Sequence, residues 1–580
     1  MADSVREASA EKDSESVDDP EVETQIIKNE YVLKDHERIL SFDSLAEQDK
    51  RKFEGESEGY KARKLKNGKQ KLKGQNKARD NVYRQAEEER FCFRVADTTC
   101  LQTCDETKCK FQHDRIKYIN SKPEDLGPSC YVYSVRGHCP RGVTCRYGSS
   151  HLSSTGENLI NIDRMTAMNN DPMSKCFNYL SKELQVSLRK KQYDFSKSND
   201  AIRLADNLRK DEINEPRAKK KTTVIGRELF EKDLLYLSPL TTVGNLPFRR
   251  ICKEYGADVT CSEMAVSTAL LQGHSQEWAL IRRHASENIF GVQIEGNNPY
   301  VMTKCAQVLQ ENADIDFVDI NVGCPIDLIF DKGGGCALLR RPKVLKSIIS
   351  SMLEILDVPL TLKTRMGVSS KKLVACELMP MFEKSGLSMV TVHGRTKEQR
   401  YTKLADWGYI EQCAQQLSPC PLYGNGDILS YYDYLTAKET APHSKGVMIG
   451  RGALIKPWLF REIKDSTLTD PSANERMEML KKYVNYGLQH WGSDTKGVET
   501  TRRFLLEWLS FLYRYIPTGL MINPPQKPNI RPPYYKGRCE METLMASPNC
   551  SDWIKISEML LGKVPEGFTF LPKHKANAWK

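Results

Sequence analysis

At 580 residues the chain is too long for one ordinary core, and roughly two to four domains are expected. Its hydrophobic content of 39% reflects charged segments diluting a globular middle, and no run approaches the eighteen apolar residues of a membrane helix. The net charge of +10 is modest for this length, so where the charge lies matters more than its size.

The opening MADSVREASAEKDSES lacks the apolar core of a secretory signal, and residues 1–60 are mostly acidic and polar. Lys61 to Arg79 (KARKLKNGKQKLKGQNKAR) then carries nine basic residues and no acid. Such a block cannot bury itself, so residues 1–88 read as a disordered acidic and then basic tail. Nucleic-acid contact or nuclear import stands beside plain solvation as its role.

Of eighteen cysteines, seven fall between Cys92 and Cys145, and the rest scatter through apparent core. That distribution favours reduced thiols and a metal cluster in the cytoplasm or nucleus. Residues 89–155 hold two candidate zinc units. The second is Cys130, Cys139, Cys145 and His151, spaced C-x8-C-x5-C-x5-H. Three thiolates and an imidazole suit a closed structural zinc with no position left for catalysis. The spacing resembles CCCH fingers of RNA-binding proteins, except that Ser149 stands where their histidine is expected. A slightly longer last loop would let His151 reach the metal. The first unit ends in Cys109-x3-His113 and takes two more ligands from Cys92, Cys100 and Cys104, with Cys92 and Cys104 preferred. Phe111, Tyr131, Tyr133 and Tyr147 interleave with Lys110, Arg136, Arg141 and Arg146. That mixture suits stacking on bases while neutralising phosphates, although part of it must pack around the metals. Residues 156–225 are polar, helical in pattern, and read as a connector lying along the next domain.

From Leu234 strand-like and helical runs alternate with a period of about thirty residues. The strand-like runs are LLYLSPL (234–240), DVTCSEM (258–264), IFGVQIEG (289–296), FVDINVGCP (317–325), PLTLKTRMG (359–367), SMVTVHGRT (388–396), PLYGNGDI (421–428) and GVMIGRGA (446–453). Amphipathic stretches such as PYVMTKCAQVLQEN and PKVLKSIISSMLEIL lie between them. Eight such units predict a TIM (β/α)8 barrel over 226–468. A doubly wound sheet would need a Gly-rich first turn, and none follows Leu240. The strand ends carry Gln293, Asn321, Cys324, Lys363, Arg365, His393, Arg395, Asn425, Asp427 and Arg451, side chains costly to desolvate and therefore pointing to a site. NGDI and IGRGA on the last two strands fit the phosphate site common to this fold. Cys324, where a buried strand becomes loop, is either a small core hydrophobe or a reactive group. Residues 469–580 are helical and then less regular; TRRFLLEWLSFLYRYI (501–516) presents an apolar face with Arg502, Arg503 and Arg514 outside it.

The pieces SPLTTVGNLPFRR, GVQIEG, DINVGCP, LKTRMG, VHGRT, GNGDI and IGRGA, in order over 234–460, resemble the tRNA-dihydrouridine synthases. The CCCH pair and basic tail narrow the resemblance to eukaryotic members acting on the tRNA variable loop. The resemblance implies an FMN-dependent reduction of uridine to 5,6-dihydrouridine with NADPH or NADH as hydride source. Cys324 would be the proton donor. Pro239, Leu240 and Thr241 would line the flavin, Gln293, Lys363 and His393 would bind it, and Asn425, Gly426, Asp427, Gly450 and Arg451 would complete its ribityl and phosphate contacts. Arg365 and Arg395 are candidates for substrate phosphate or uracil O4. The C-terminal helices would grip tRNA, with mRNA a second candidate substrate, and the fingers would add a separable RNA handle. No membrane association and a monomeric chain are expected. A small-molecule flavin oxidoreductase and a finger protein with a relic barrel are the competing readings; the fingers speak against the first and the intact strand ends against the second.

Overall fold

The computed structural model describes residues 27–33, 89–99, 104–210, 221–399, 401, 403–527 and 533–573. The basic block at Lys61–Arg79 and Cys100 lie outside the described residues. Eight parallel strands close into a barrel: β1 (Leu235–Leu237), β2 (Val259–Cys261), β3 (Ile289–Glu295), β4 (Phe317–Val322), β5 (Leu360–Arg365), β6 (Met389–His393), β7 (Leu422–Asn425) and β8 (Gly446–Ile449). Neighbours in the chain pair with one another, and β8 returns to β1. Both faces of such strands are covered, which is why a run like FVDINV is buried at every residue.

Helices α1 (Leu246–Glu254), α2 (Pro299–Asn312), α3 (Pro342–Ile355), α4 (Ala375–Ser385), α5 (Trp407–Leu417), α6 (Tyr431–Thr440) and the short α7 (Arg451–Ile455) surround the strands. Their starts are written in the sequence: Asn298 accepts from the Tyr300 and Val301 amides with Pro299 at the first helical position, and Asp406 accepts from Tyr409 N. Inside the barrel Tyr236, Phe317, Met389, Tyr423 and Met448 form one buried cluster. Phe230, last residue of the preceding helix Lys221–Phe230, meets Phe317 and Tyr423 edge-on and closes the floor. Gly291 is required there, because a Cβ would stand 2.1 Å from the Phe317 ring. Arg249 on α1 pairs with Glu287 at 2.8 Å, both fully buried, and Thr260 Oγ1 donates to the same carboxylate.

Part of the stretch 156–225 lies along the barrel helices. Helix Ser196–Lys210 is tied to α2 by Ser198, whose amide and hydroxyl both donate to Gln307 Oε1. Beyond the barrel, α8 (Ala473–Trp491), opened by a Ser472–Glu475 capping box, packs on α9 (Thr495–Leu512) and α10 (Cys550–Leu561). Arg502 is not on the open face expected of it. It is 1% exposed and donates to Ser557 Oγ and to the carbonyls of Leu561 and Gly562, capping α10 from inside.

The second finger is built into this helical unit rather than hung from it. Val132, Cys145 and Tyr147 share a buried cluster with Leu480, Tyr483 and Val498. Arg146 N donates to the Ser493 carbonyl, and Arg141 donates to the Trp491 carbonyl and pairs with Asp494. Arg141 and Tyr147, expected to meet RNA, are therefore spent on packing the finger against the turn between α8 and α9. Within the stretch expected to form a tail, Ile27–Leu33 pairs with residues on either side of Gln526: Lys28 N donates to Leu520 O, and Lys536 N to Tyr31 O. No helix among the described residues is long and apolar enough to cross a membrane.

Candidate active site and metal centres

Parallel register brings the polar strand ends together at the C-terminal mouth of the barrel. Gln293 on β3 stands beside Asp319 on β4, Asn321 beside Lys363 on β5, Arg365 beside His393 on β6, and His393 beside Asn425 on β7. Asn321 makes the turn that carries Cys324: its Oδ1 accepts from Gly323 N at 3.2 Å and Cys324 N at 2.8 Å. Its Nδ2 donates to Gln293 Oε1, Gln293 Nε2 donates to Asp319 Oδ2, and Thr361 Oγ1 donates to Asp319 Oδ1 at 2.6 Å. A hydrogen-bonded chain thus runs from the barrel centre to the Cys324 amide. Burial pushes the Asp319 carboxyl up to about 6, against its bonds to Thr361 and Gln293 and the charge of Lys363. Gln293, expected to read a flavin, already has both ends of its amide engaged, leaving one N–H and one lone pair.

Cys324 is 8% exposed. Cys336 N donates to its carbonyl, and Gly335 lies so close, at φ +52°, that a Cβ there would be 2.8 Å from the same oxygen. Burial pushes the thiol up, so it keeps its proton at neutral pH. Lys363 Nζ donates to Asn425 Oδ1 at 3.2 Å, and Asn425 Nδ2 to the Met448 carbonyl. Burial, helped by Arg365, lowers Lys363 to about 8. His393 is pushed well below its ordinary value by burial and then by Arg365, Lys363, Arg395 and Arg451 around it, so the ring is neutral.

Asp427 holds the far side. Its Oδ2 accepts from Arg395 at 2.5 Å and from Ala405 N, and its Oδ1 accepts from Arg451 at 2.6 Å. Arg395 is completely buried, with its Nε on the Lys403 carbonyl, and Arg365 donates to the carbonyls of Gly323 and Thr396. Both, candidates for substrate contact, fasten loops here, since inward-facing guanidiniums satisfy orphan carbonyls where strands end. Pro239, Leu240 and Thr241 follow β1, and Ser238 N donates to Ile449 O, which sets that loop against Gly450. A Cβ at Gly450 would meet Leu240 and Ser238 only at 3.7 Å.

Three carboxylates near the mouth went unread in the sequence. Asp319 shares the inward face of β4 with Phe317 and Asn321, and that alternation was the available signal. Glu263 accepts from Thr242 N at 2.7 Å, and Glu295 packs against Gly334; neither has a periodic signature.

Both expected zinc sets converge. Cys92, Cys104, Cys109 and His113, and Cys130, Cys139, Cys145 and His151, each place their ligand atoms within 4.8 Å of one another. A 3-10 turn at Gly148–Ser150 absorbs the extra spacing before His151. Both ring nitrogens of His151, and Nε2 of His113, are buried with no hydrogen-bond partner, which suits nitrogen reserved for a metal. Ser493 Oγ lies 3.4 Å from Cys139 Sγ and 3.1 Å from Cys145 Sγ, an outer contact supplied by the helical unit.

The family model described as Dihydrouridine synthase (Dus) matches residues 236–511. A Xenopus laevis protein named "tRNA-dihydrouridine(47) synthase [NAD(P)(+)]-like" is 49% identical over 95% of this chain and 91% of its own length. A Homo sapiens protein of that name is 47% identical over 88% of this chain and 84% of its own. A Coprinopsis cinerea "tRNA-dihydrouridine(47) synthase [NAD(P)(+)]" is 38% identical over 89% and 90%. With such identity spread over fingers, barrel and helical unit together, the chain belongs to the dihydrouridine synthase family.

Proposed function

We propose that the protein reduces uridine in tRNA to 5,6-dihydrouridine, at position 47 as the relatives' names have it, using FMN and NADPH or NADH. The observation that carries this reading is a protonated thiol, Cys324, fixed at the mouth of a barrel beside a cluster of cationic strand ends. The residues present fit FMN. Pro239, Leu240 and Thr241 offer a loop beside the open Gly450, Lys363 and Asn425 offer donors to a planar ring, and Arg451 with the backbone of Gly426 and Gly450 suits a phosphate. Asp427 enters through Arg451, which it orients; its own carboxylate would repel a phosphate. When bound, FMN supplies the hydride that goes to C6 of the uracil.

Cys324 then gives its proton to C5, which requires the thiol to stay protonated until the base arrives. Lys363 and the neutral His393 donate toward the charge that develops on O4. Gln293 and Asn321 hold the Cys324 turn in place. The two Cys3His sets fit structural zinc. Substrate RNA and reduced thiols support a cytoplasmic or nuclear enzyme; a monomer, with mRNA as a further substrate, is proposed with it.

The test uses the purified protein with NADPH and an unmodified tRNA transcript, reading dihydrouridine by mass spectrometry. Wild type should be yellow and form product. Cys324→Ala should keep its flavin and oxidise NADPH while product formation falls by about 10²–10⁴-fold, the usual reach of a general acid. Unchanged yield in that variant would remove Cys324 as the acid, and protein that never binds flavin would overturn the whole reading.

A further inference from the structure

Away from the barrel mouth, a cavity of about 200 Å³ lies where the second finger, the barrel wall and the helical unit meet. Its lining includes Arg136 from the finger helix Tyr131–Arg136, Arg250 from α1, Arg282 and His284 ahead of β3, and His490 from α8. None of the mouth residues described above takes part. Arg250 lies 3.5 Å over the Tyr486 ring and donates to Gln489 Oε1 at 2.8 Å, and Arg282 lies 3.7 Å over the Tyr179 ring. The Nε–H groups of Arg136 and Arg282 are buried with no acceptor.

Charge in this cavity is unbalanced. Among the described residues Asp171 is the one carboxylate that lines it, and its Oδ1 accepts from the Met173 amide. Two further acids lie close by: Glu254 is engaged by the Tyr486 hydroxyl and Lys482, and Glu287 by Arg249 and the His284 amide. Burial, and then the neighbouring arginines, hold His284 near 4 and His490 near 3, so neither histidine offers a counter-charge nor adds to the positive one. Three guanidiniums against one carboxylate, partly withdrawn from water, is a costly arrangement for structure alone. A guanidinium fork with unsatisfied N–H groups matches a tetrahedral oxyanion. The volume falls below the roughly 300–1,000 Å³ typical of cofactor pockets, which excludes a dinucleotide and leaves room for a phosphate with its sugar.

We propose that this cavity binds a phosphate group of the RNA substrate strand, held by Arg136, Arg250 and Arg282. The proposal rests on the tRNA reading above and locates part of its grip. A backbone phosphate is favoured over a free anion because residues of the finger, the barrel wall and the helical unit all contribute the walls. A ligand seated there ties both to the barrel.

The experiment uses full-length, flavin-loaded, zinc-replete protein and the Arg136→Gln, Arg282→Gln and double variants, with flavin content as the folding control. Binding of an unmodified tRNA transcript is measured from low to moderate salt. The double variant should bind about tenfold or more weaker, and its slope of log affinity against log salt should fall by about 1, the value of one lost phosphate contact. In parallel, inorganic phosphate at constant ionic strength should raise the thermal midpoint of wild type relative to chloride and leave the double variant unmoved. Phosphate stabilisation with unaltered RNA affinity and salt slope would overturn the RNA assignment in favour of a free anion. No phosphate effect and no RNA effect would overturn the site. If the double variant loses its flavin, Arg282→Gln alone replaces it in both measurements, with the same outcomes. Wild type that binds the transcript through this site and makes no dihydrouridine would sink the proposed function and leave the phosphate site standing.

Discussion

Cys324 keeps its proton because of where it sits: burial outweighs the nearby Lys363 and Arg365, which pull the other way. A nucleophilic thiol needs the opposite environment, with a depressed pKa and a base at hand. Lys363 gives the residue scale its sharpest test. Its folded value of about 8 lies below the ordinary lysine range, so the charge is present below that pH and lost above it. FMN affinity, measured by flavin fluorescence, should therefore weaken as pH rises through about 8. Lys363→Met should bind FMN more weakly throughout and show no such inflection; an inflection that survives the substitution would assign it elsewhere. Cys324, Lys363 and His393 were legible in the sequence because each ends a predicted strand. The inward turn of Arg365 and Arg395 was not, since strand position fixes where a side chain starts and not which carbonyl its far end finds.

At the scale of elements, the site depends on strands held in register and on caps that need no site at all. The chain Thr361–Asp319–Gln293–Asn321–Cys324 crosses β5, β4 and β3, so a slip of one residue in any of them would move the thiol. The connection from α1 to the start of β3 relies on the buried Arg249–Glu287 pair. Glu287→Ala should cost about 3–5 kcal/mol, because it strands a guanidinium in the core. Urea unfolding followed by circular dichroism reads this, and a loss under about 1 kcal/mol would show that Arg249 finds another partner. The strand and helix runs could be read from hydrophobic period. The Arg249–Glu287 pairing could not, since 38 residues separate its members and neither lies in a charge pattern.

Over the whole molecule, the fingers change character once they are seen in place. Read from sequence they are an RNA handle that could be removed. In the fold, the second finger supplies Val132, Cys145 and Tyr147 to the core of the helical unit, and Ser493 reaches back to two of its thiols. Deleting residues 1–152 should therefore lower the thermal midpoint and promote aggregation, beyond any loss of RNA affinity. A zinc chelator should produce a smaller change of the same sign, because metal binding and folding of the finger are linked. A truncated protein as stable and soluble as the full chain would restore the detachable handle.

The sequence by itself determined the barrel, the second Cys3His set, the first set up to its choice among Cys92, Cys100 and Cys104, and the thiol at the end of β4, because period, spacing and strand position are local properties of a chain. Only the tertiary structure decided which arginines face inward, that Asp319 anchors the Cys324 turn, and that three guanidiniums converge on one cavity between units. Those outcomes depend on contacts between residues far apart in the chain, where burial and geometry select among partners that sequence spacing leaves equal.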